Sequence, residues 1–269
     1  MSGKSVSILD PFRVLWEGRK FILRKTRQDL RFRYANSLLG MAWVVIMPTM
    51  FLALYATVQI LIYRAHRPDV TTPELVLMMF SGIMAIFGLT EAANGSSGSL
   101  TRDKTIMQNT MLPSEVLVAQ SATVGFVTCL IGIGLSIVLS LILDFNKPTL
   151  LFAPLVLFMQ YLFVVGFCWI VSLVAVLIRD IQFILRFLTL GLIICSPIGY
   201  TVASVPPHLK AIVYANPMSY FLVNYQSLIV FGEWPPLDMT VIMVAMSLGT
   251  FFLGYFLYAR LKMALIQLA

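Results

Sequence analysis

Residues Pro148 to Ile178 read PTLLFAPLVLFMQYLFVVGFCWIVSLVAVLI, thirty-one residues without a formal charge. A helix needs roughly 20 apolar residues to cross the hydrocarbon core of a bilayer, so this run is long enough to be a transmembrane span. Three further runs share its character: Tyr34 to Tyr63 with thirty residues, Val116 to Leu143 with twenty-eight and Met239 to Ala259 with twenty-one. Leu75 to Thr101 is interrupted only by Glu91. Phe187 to Leu209 carries no charge but runs through the turn-forming pairs Ser196-Pro197 and Pro206-Pro207. The pattern predicts an all-α integral membrane protein with six transmembrane helices, residues 1–269 forming one transmembrane domain. A seventh uncharged window, Ala211 to Gly232, is broken at Asn216-Pro217. Backbone interrupted by proline lies at membrane depth only where protein or a watery cavity covers it. That window is therefore expected to form re-entrant or outer-surface helices between spans five and six.

Composition points the same way. Of 269 residues, 59% are hydrophobic and 12% charged, about half the roughly 25% charged residues of soluble domains. A soluble enzyme, a nucleic-acid-binding domain and a disordered chain are excluded together. The net charge of +7 is local, because nine of the nineteen Lys and Arg precede Tyr34; such clustering suits an anionic membrane face rather than nucleic acid. Fifteen basic residues fall on one side of the spans, counting the N-terminal segment, Arg102, Lys104, Arg179, Arg186, Arg260 and Lys262. Four fall on the other: Arg64, Arg67, Lys147 and Lys210. The positive-inside rule then places both termini in the cytoplasm. No removable signal peptide or organelle presequence is evident, and a bacterial inner membrane is the expected location. Cys129, Cys168 and Cys195 lie in apolar runs without partners at metal-ligand or redox spacing, and read as small buried hydrophobes.

Residues 11–33 form an amphipathic pattern at helical spacing. Phe12, Leu15, Trp16, Leu23 and Leu30 cluster on one face, and Arg13, Lys20, Arg24, Arg27 and Arg31 form an adjoining stripe. A helix of this kind lies in the membrane interface, where each basic residue near anionic lipid contributes about 1 kcal/mol. Catalytic chemistry is hard to place. Gly3-Lys4-Ser5 has no glycine five positions earlier and no preceding strand, so it is not a phosphate-binding loop. No nucleophile triad or paired carboxylates appear, and His66 and His208 fall in outer loops away from metal-ligand partners. Glu91 alone lies clearly inside a span, where an ionisable group is costly; a structural role at the inner end of its helix is favoured over a proton relay. A chain so poor in intramembrane charge needs an energy source other than an ion gradient. Trp16, Tyr34, Trp43, Tyr63, Tyr200, Trp234 and Tyr258 suit aromatic belts at the two interfaces. The pairs Phe51/Tyr55 and Phe183/Phe187 recur at i and i+4 and are candidate lumen aromatics, although helix packing explains the same spacing.

Several short patterns resemble the membrane subunit of type-2 ABC exporters, in particular the group that exports O-antigen, capsule or teichoic-acid chains. Asp29-Leu30, Arg33-Tyr34, Ser37, Leu39-Gly40, Trp43 and Pro48 are similar to that family's passage from interfacial helix into first span. Leu112-Pro113-Ser114-Glu115 resembles its Phe-Pro-x-Glu element with Leu in place of Phe, and Arg179-Asp180 also fits. Ser196-Pro197, Tyr200, Val205-Pro206 and Asn216-Pro217 resemble its outer gate. The resemblance implies a homodimer of six-span subunits above two copies of a separate ATPase, which would bind the ATP and Mg, this chain itself holding no cofactor or metal. It implies a lipid-linked glycan as substrate and surrounding membrane lipids as partners. Arg102, Asp103, Lys104 and Glu115, as exposed charges on a coupling loop at 98–116, are the expected ATPase contacts, with Arg27, Asp29 and Arg31 on the interfacial helix. Pro197, Tyr200, Pro206, Asn216 and Pro217 mark the expected outer gate at 196–236. A drug, lipid or small-molecule exporter of the same fold is the alternative; a glycosyl- or phosphotransferase lacks the acidic cluster it would need, and a membrane scaffold leaves the broken segment unexplained.

Overall fold

The computed structural model describes residues 9–58, 71–99, 113–143, 148–178 and 180–266. Among them there is no strand. The helices are α1 (Asp10–Arg33), α2 (Trp43–Val58), α3 (Thr72–Ser97), α4 (Ser114–Ile142), α5 (Ala153–Leu177), α6 (Ile181–Cys195), α7 (Lys210–Ala215), α8 (Pro217–Tyr225) and α9 (Leu237–Ile266). Short 3-10 turns precede α2 and α5, and a π-helical stretch, Gln226–Phe231, continues α8. Among the described residues, five segments are long and apolar enough to cross a membrane: Gly40–Val58, Thr72–Ser97, Ser114–Ile142, Pro148–Leu177 and Leu237–Leu261. The chain is thus a multi-pass membrane protein.

Four of those five agree with the charge-free runs to within a few residues at most boundaries. The first starts late. Tyr34 to Leu39, although uncharged, is a chain of turns closed by Ser37 N–H to Tyr34 C=O (3.1 Å) and Gly40 N–H to Ser37 C=O (3.2 Å). Gly40 then takes φ of 49°, a left-handed conformation natural only to glycine. The expected fifth span, Phe187 to Leu209, is displaced: α6 has fifteen residues and stops at Cys195. At 1.5 Å per residue it covers about 22 Å, less than the roughly 30 Å of hydrocarbon. Ser196 in extended backbone before Pro197 ends it, since a residue preceding proline is pushed out of helical conformation.

Two helix pairs form the centre, α3 against α4 and α5 against α9. Membrane helices associate through close packing rather than through expulsion of water, so small residues at the crossing matter most. A Cβ on Gly125 would sit 2.1 Å from the Ala92 nitrogen, and one on Gly254 would sit 2.2 Å from the Gly166 carbonyl oxygen. Trp169, Phe251, Phe221, Tyr225 and Tyr258 fill the interior. Tyr258 is fully buried, contrary to its expected place in an interfacial belt, whereas Trp16 and Trp234 are exposed as a belt requires. Cys129 and Cys168 are buried hydrophobes as expected, and Cys195 is only partly covered.

Candidate functional site: a charged end and a broken segment

One end of the bundle gathers α1, the C-terminal turns of α3, α5 and α9, and the N-terminal turn of α4. α1 has three sectors where the sequence suggested two. Gly18, Ile22, Thr26 and Leu30, four residues apart, are buried. Gly18 permits this approach, because a Cβ there would stand 2.7 Å from Val116. Trp16 and Leu23 remain 68% and 67% exposed, leaving an apolar strip outside the packing face. Arg24, Arg27 and Arg31 form the exposed basic stripe. Phe12 seats the start of α1 on α9, its ring 5.0 Å from that of Phe251.

Two polar connections fasten the other end of α1. Lys25 Nζ donates to Asp29 Oδ1 at 2.5 Å, and Gln120 Nε2 on α4 donates to Asp29 Oδ2 at 3.0 Å. Asp29, an expected ATPase contact, is therefore turned partly into the α1–α4 seam. Arg33 forms an ion pair with Glu91 of α3, whose other carboxylate oxygen accepts from Thr128 of α4. Burial opposes ionisation of Arg33, yet the charge and hydrogen bond of Glu91 outweigh it and raise the guanidinium above its usual pKa. Glu91 thus ties three helices together, the structural role favoured from sequence.

Glu115 departs from expectation. It is 3% exposed in the first turn of α4, where its backbone oxygen accepts from Trp169 Nε1 at 3.1 Å. Ser114 Oγ donates to its carboxylate at 3.4 Å. A charge predicted to flank an exposed loop instead lies inside the helix bundle. Arg102, Asp103 and Lys104 lie outside the described residues, as does Arg179.

At the opposite end, residues 196–236 fold into short helices and turns, and Met218 through Tyr225 are buried on every face of α8. Asn216 caps α8 by accepting from Met218 N–H at 2.9 Å. Its amide donates to Ser196 Oγ at 2.8 Å and Leu192 C=O at 3.3 Å. Gln226 Nε2 donates to Pro197 C=O at 2.5 Å. The structure therefore unites Pro197, Asn216 and Pro217 of the expected gate, leaving Pro206 exposed and Tyr200 half-buried outside that network. Broken backbone needs outside partners for its polar groups. Ser140 Oγ and Thr149 Oγ1 supply them, donating to Ile229 and Leu228 carbonyls at 2.9 and 3.2 Å.

Gln160 was not singled out from sequence, and it forms the centre of the polar interior. Gln160, fully buried on α5, donates to Ala85 C=O of α3 at 3.0 Å and accepts from Tyr225 OH of α8 at 2.7 Å. The available signal was its position inside a thirty-one-residue uncharged run. Counting formal charges passed over it.

Of the candidate lumen aromatics, Phe51 packs on Phe87 of α3 with ring centroids 5.9 Å apart. Phe183 and Phe187 on α6 are 66% and 77% exposed, and only the backbone of Tyr55 is described. α2 packs on α3 and α4, whereas α6 packs on α3. A cavity of about 520 Å³ between α3, α5, α6 and the Asn216-Pro217 break is lined by Phe163, Phe167 and Phe187.

Residues 21–230 match the family described as ABC-2 type transporter. The chain belongs to that family. This ABC-2 type transporter chain is similar over most of its length to proteins named O-antigen export system permease protein RfbA. Identity is 20% over 239 residues with the protein of Myxococcus xanthus, covering 87% of this chain and 90% of that one. With two proteins of Klebsiella pneumoniae it is 25% and 24% over 213 residues, covering 77% of this chain and 79% of each relative. The matched interval includes the α1 seam, Glu91, Gln160 and the broken segment through Val230.

Proposed function

We propose that this chain is the transmembrane subunit of an ATP-driven exporter that carries a lipid-linked polysaccharide, O-antigen, outward across the bacterial inner membrane. The reading is carried by the similarity, over most of the chain, to relatives named O-antigen export system permease. Two copies of the chain form the translocating unit, and two copies of a separate ATPase bind ATP and Mg beneath it. The chain crosses six times, with α6 and the turns after Ser196 together making the fifth crossing. Both termini and α1 are cytoplasmic, and the segment 196–236 is the outer gate.

The basic stripe of α1, with Arg27 and Arg31, meets the ATPase together with the charges of the 98–116 coupling loop. Closure of the ATPase on ATP can move the helices only if the two conformations of the permease bind it unequally. α1 is suited to pass on that difference because it is fastened to α3 and α4 through Arg33–Glu91 and Asp29–Gln120. Glu115 acts from inside the bundle, holding the first turn of α4 at the base of that loop.

The test is deletion of the chain in its own host, followed by staining for surface polysaccharide. Loss of the surface polymer with build-up of lipid-linked glycan inside, both reversed by the restored chain, is expected. Normal surface polymer after deletion overturns the reading. Arg27→Glu together with Arg31→Glu should reduce recovery of the ATPase with the purified permease while leaving α1 folded, since both side chains are exposed.

A further inference from the structure

Two cavities beside α1 share one wall. The first, about 540 Å³, is an apolar slot between α2, α3 and α4 lined by Met47, Phe51, Leu54, Met84 and Phe87. The second, about 390 Å³, is a polar compartment under α1 reached by Lys25, Asp29 and Ser121. Arg33 and Glu91 border both. The combined space is apolar along its length and charged at one end. It lies where α1, with its exposed apolar strip, meets the bundle.

We propose that this cleft holds a zwitterionic membrane phospholipid, its phosphate–ammonium head in the polar compartment and an acyl chain in the slot. The charge balance selects the head. Among the described residues, the compartment is lined by two cations, Lys25 and Arg33, and two carboxylates, Asp29 and Glu91. A neutral ligand with charges of both signs meets such a site without leaving a surplus. Lys25 and Arg33 retain donor hydrogens beyond their present ion pairs and can take the phosphate; the carboxylates retain lone pairs for the ammonium. A dianionic diphosphate would leave two surplus negative charges in a compartment whose own charges cancel.

Packing selects the tail. Only 6% of the Gly40–Val58 span is buried, so α2 closes the slot without filling it. An empty space of this size would forgo dispersion contacts along its whole lining. The slot opens past the exposed side of α2, and its volume of about 540 Å³ falls in the range of roughly 300 to 1,000 Å³ typical of small-ligand sites. The site goes beyond the export reading, because it binds a bilayer component whatever the cargo is.

Native mass spectrometry of the full-length chain, titrated with phosphatidylethanolamine, phosphatidylglycerol and a polyprenyl diphosphate, tests the assignment. One phosphatidylethanolamine per chain is expected, bound about tenfold more tightly than the two anionic lipids. Arg33→Gln removes a phosphate donor, and Met47→Trp occupies the slot from α2 without touching the ion pairs. Each should weaken phosphatidylethanolamine by about tenfold, the scale of one charge-assisted hydrogen bond or one displaced chain segment. Equal or tighter binding of either anionic lipid overturns the proposal, as does unchanged affinity in either folded variant. Should Arg33→Gln fail to fold, Met47→Trp and the lipid preference decide alone.

Discussion

Gln160 shows how a single uncharged side chain can organise a membrane interior. Its oxygen takes the Tyr225 hydroxyl and its nitrogen the Ala85 carbonyl, so α5, α8 and α3 meet at one amide. Gln160→Leu leaves the buried Tyr225 hydroxyl without its acceptor, at a cost of about 1–3 kcal/mol. Tyr225→Phe in that background should return most of the loss, because the orphaned hydroxyl is then gone. Thermal unfolding in detergent of the two single variants and the double variant measures the coupling; strictly additive losses would refute it. Glu115 gives a different lesson about residues. Its charge was visible in the sequence beside a short loop, but whether a carboxylate at a helix start points outward depends on what packs there, here Trp169 of α5. Glu115→Arg would place a larger cation in that interior, so it should lower the yield of folded protein instead of acting selectively on ATPase contact. Size-exclusion profiles of the variant read this directly.

At the scale of elements, lengths were legible and ends less so. Runs free of charge located α4, α5 and α9, and a run interrupted only by Glu91 located α3, because the lipid imposes one requirement along a whole span. Hydropathy carries no information about where an uncharged chain turns, and so the turns from Tyr34 to Leu39 needed the backbone itself, whereas the stop at Cys195 was signalled by the turn-forming pair Ser196-Pro197. Crossing points were also hidden, since sixteen glycines look alike in sequence. The structure separates them. Gly125→Val and Gly254→Val should each destabilise by roughly 1–3 kcal/mol or force their helix pairs apart, their Cβ positions overlapping backbone. Gly134→Ala and Gly249→Ala meet nothing within 4 Å and should be nearly neutral or slightly stabilising. Equal unfolding temperatures across all four variants would remove the argument that these crossings are held by close approach.

Over the whole molecule, several polar connections among the described residues join distant parts of the chain. Glu91 links Arg33, fifty-eight positions earlier, to Thr128, thirty-seven positions later. The sequence marked Glu91 as the one carboxylate clearly inside a span, but not its partner, because Arg33 stood out only in the pattern that leads from the first helix into the first span. The fold distinguishes it from Arg27 and Arg31, which face outward. That distinction has a mechanical consequence. A helix fixed at Phe12 by ring packing and near its end by two polar connections moves with α3, α4 and α9; one freed near its end moves alone. Glu91→Gln keeps the shape of the side chain and removes its charge, so the connection should weaken by about 1 kcal/mol, a partly exposed pair being screened by solvent. Hydrogen exchange of amides from Gln28 to Arg33 should quicken roughly fivefold on that scale, with α5 and α9 unchanged. Exchange that quickens equally through all helices would mean a general loss of stability, and unchanged exchange would mean that α1 is held by its buried stripe alone.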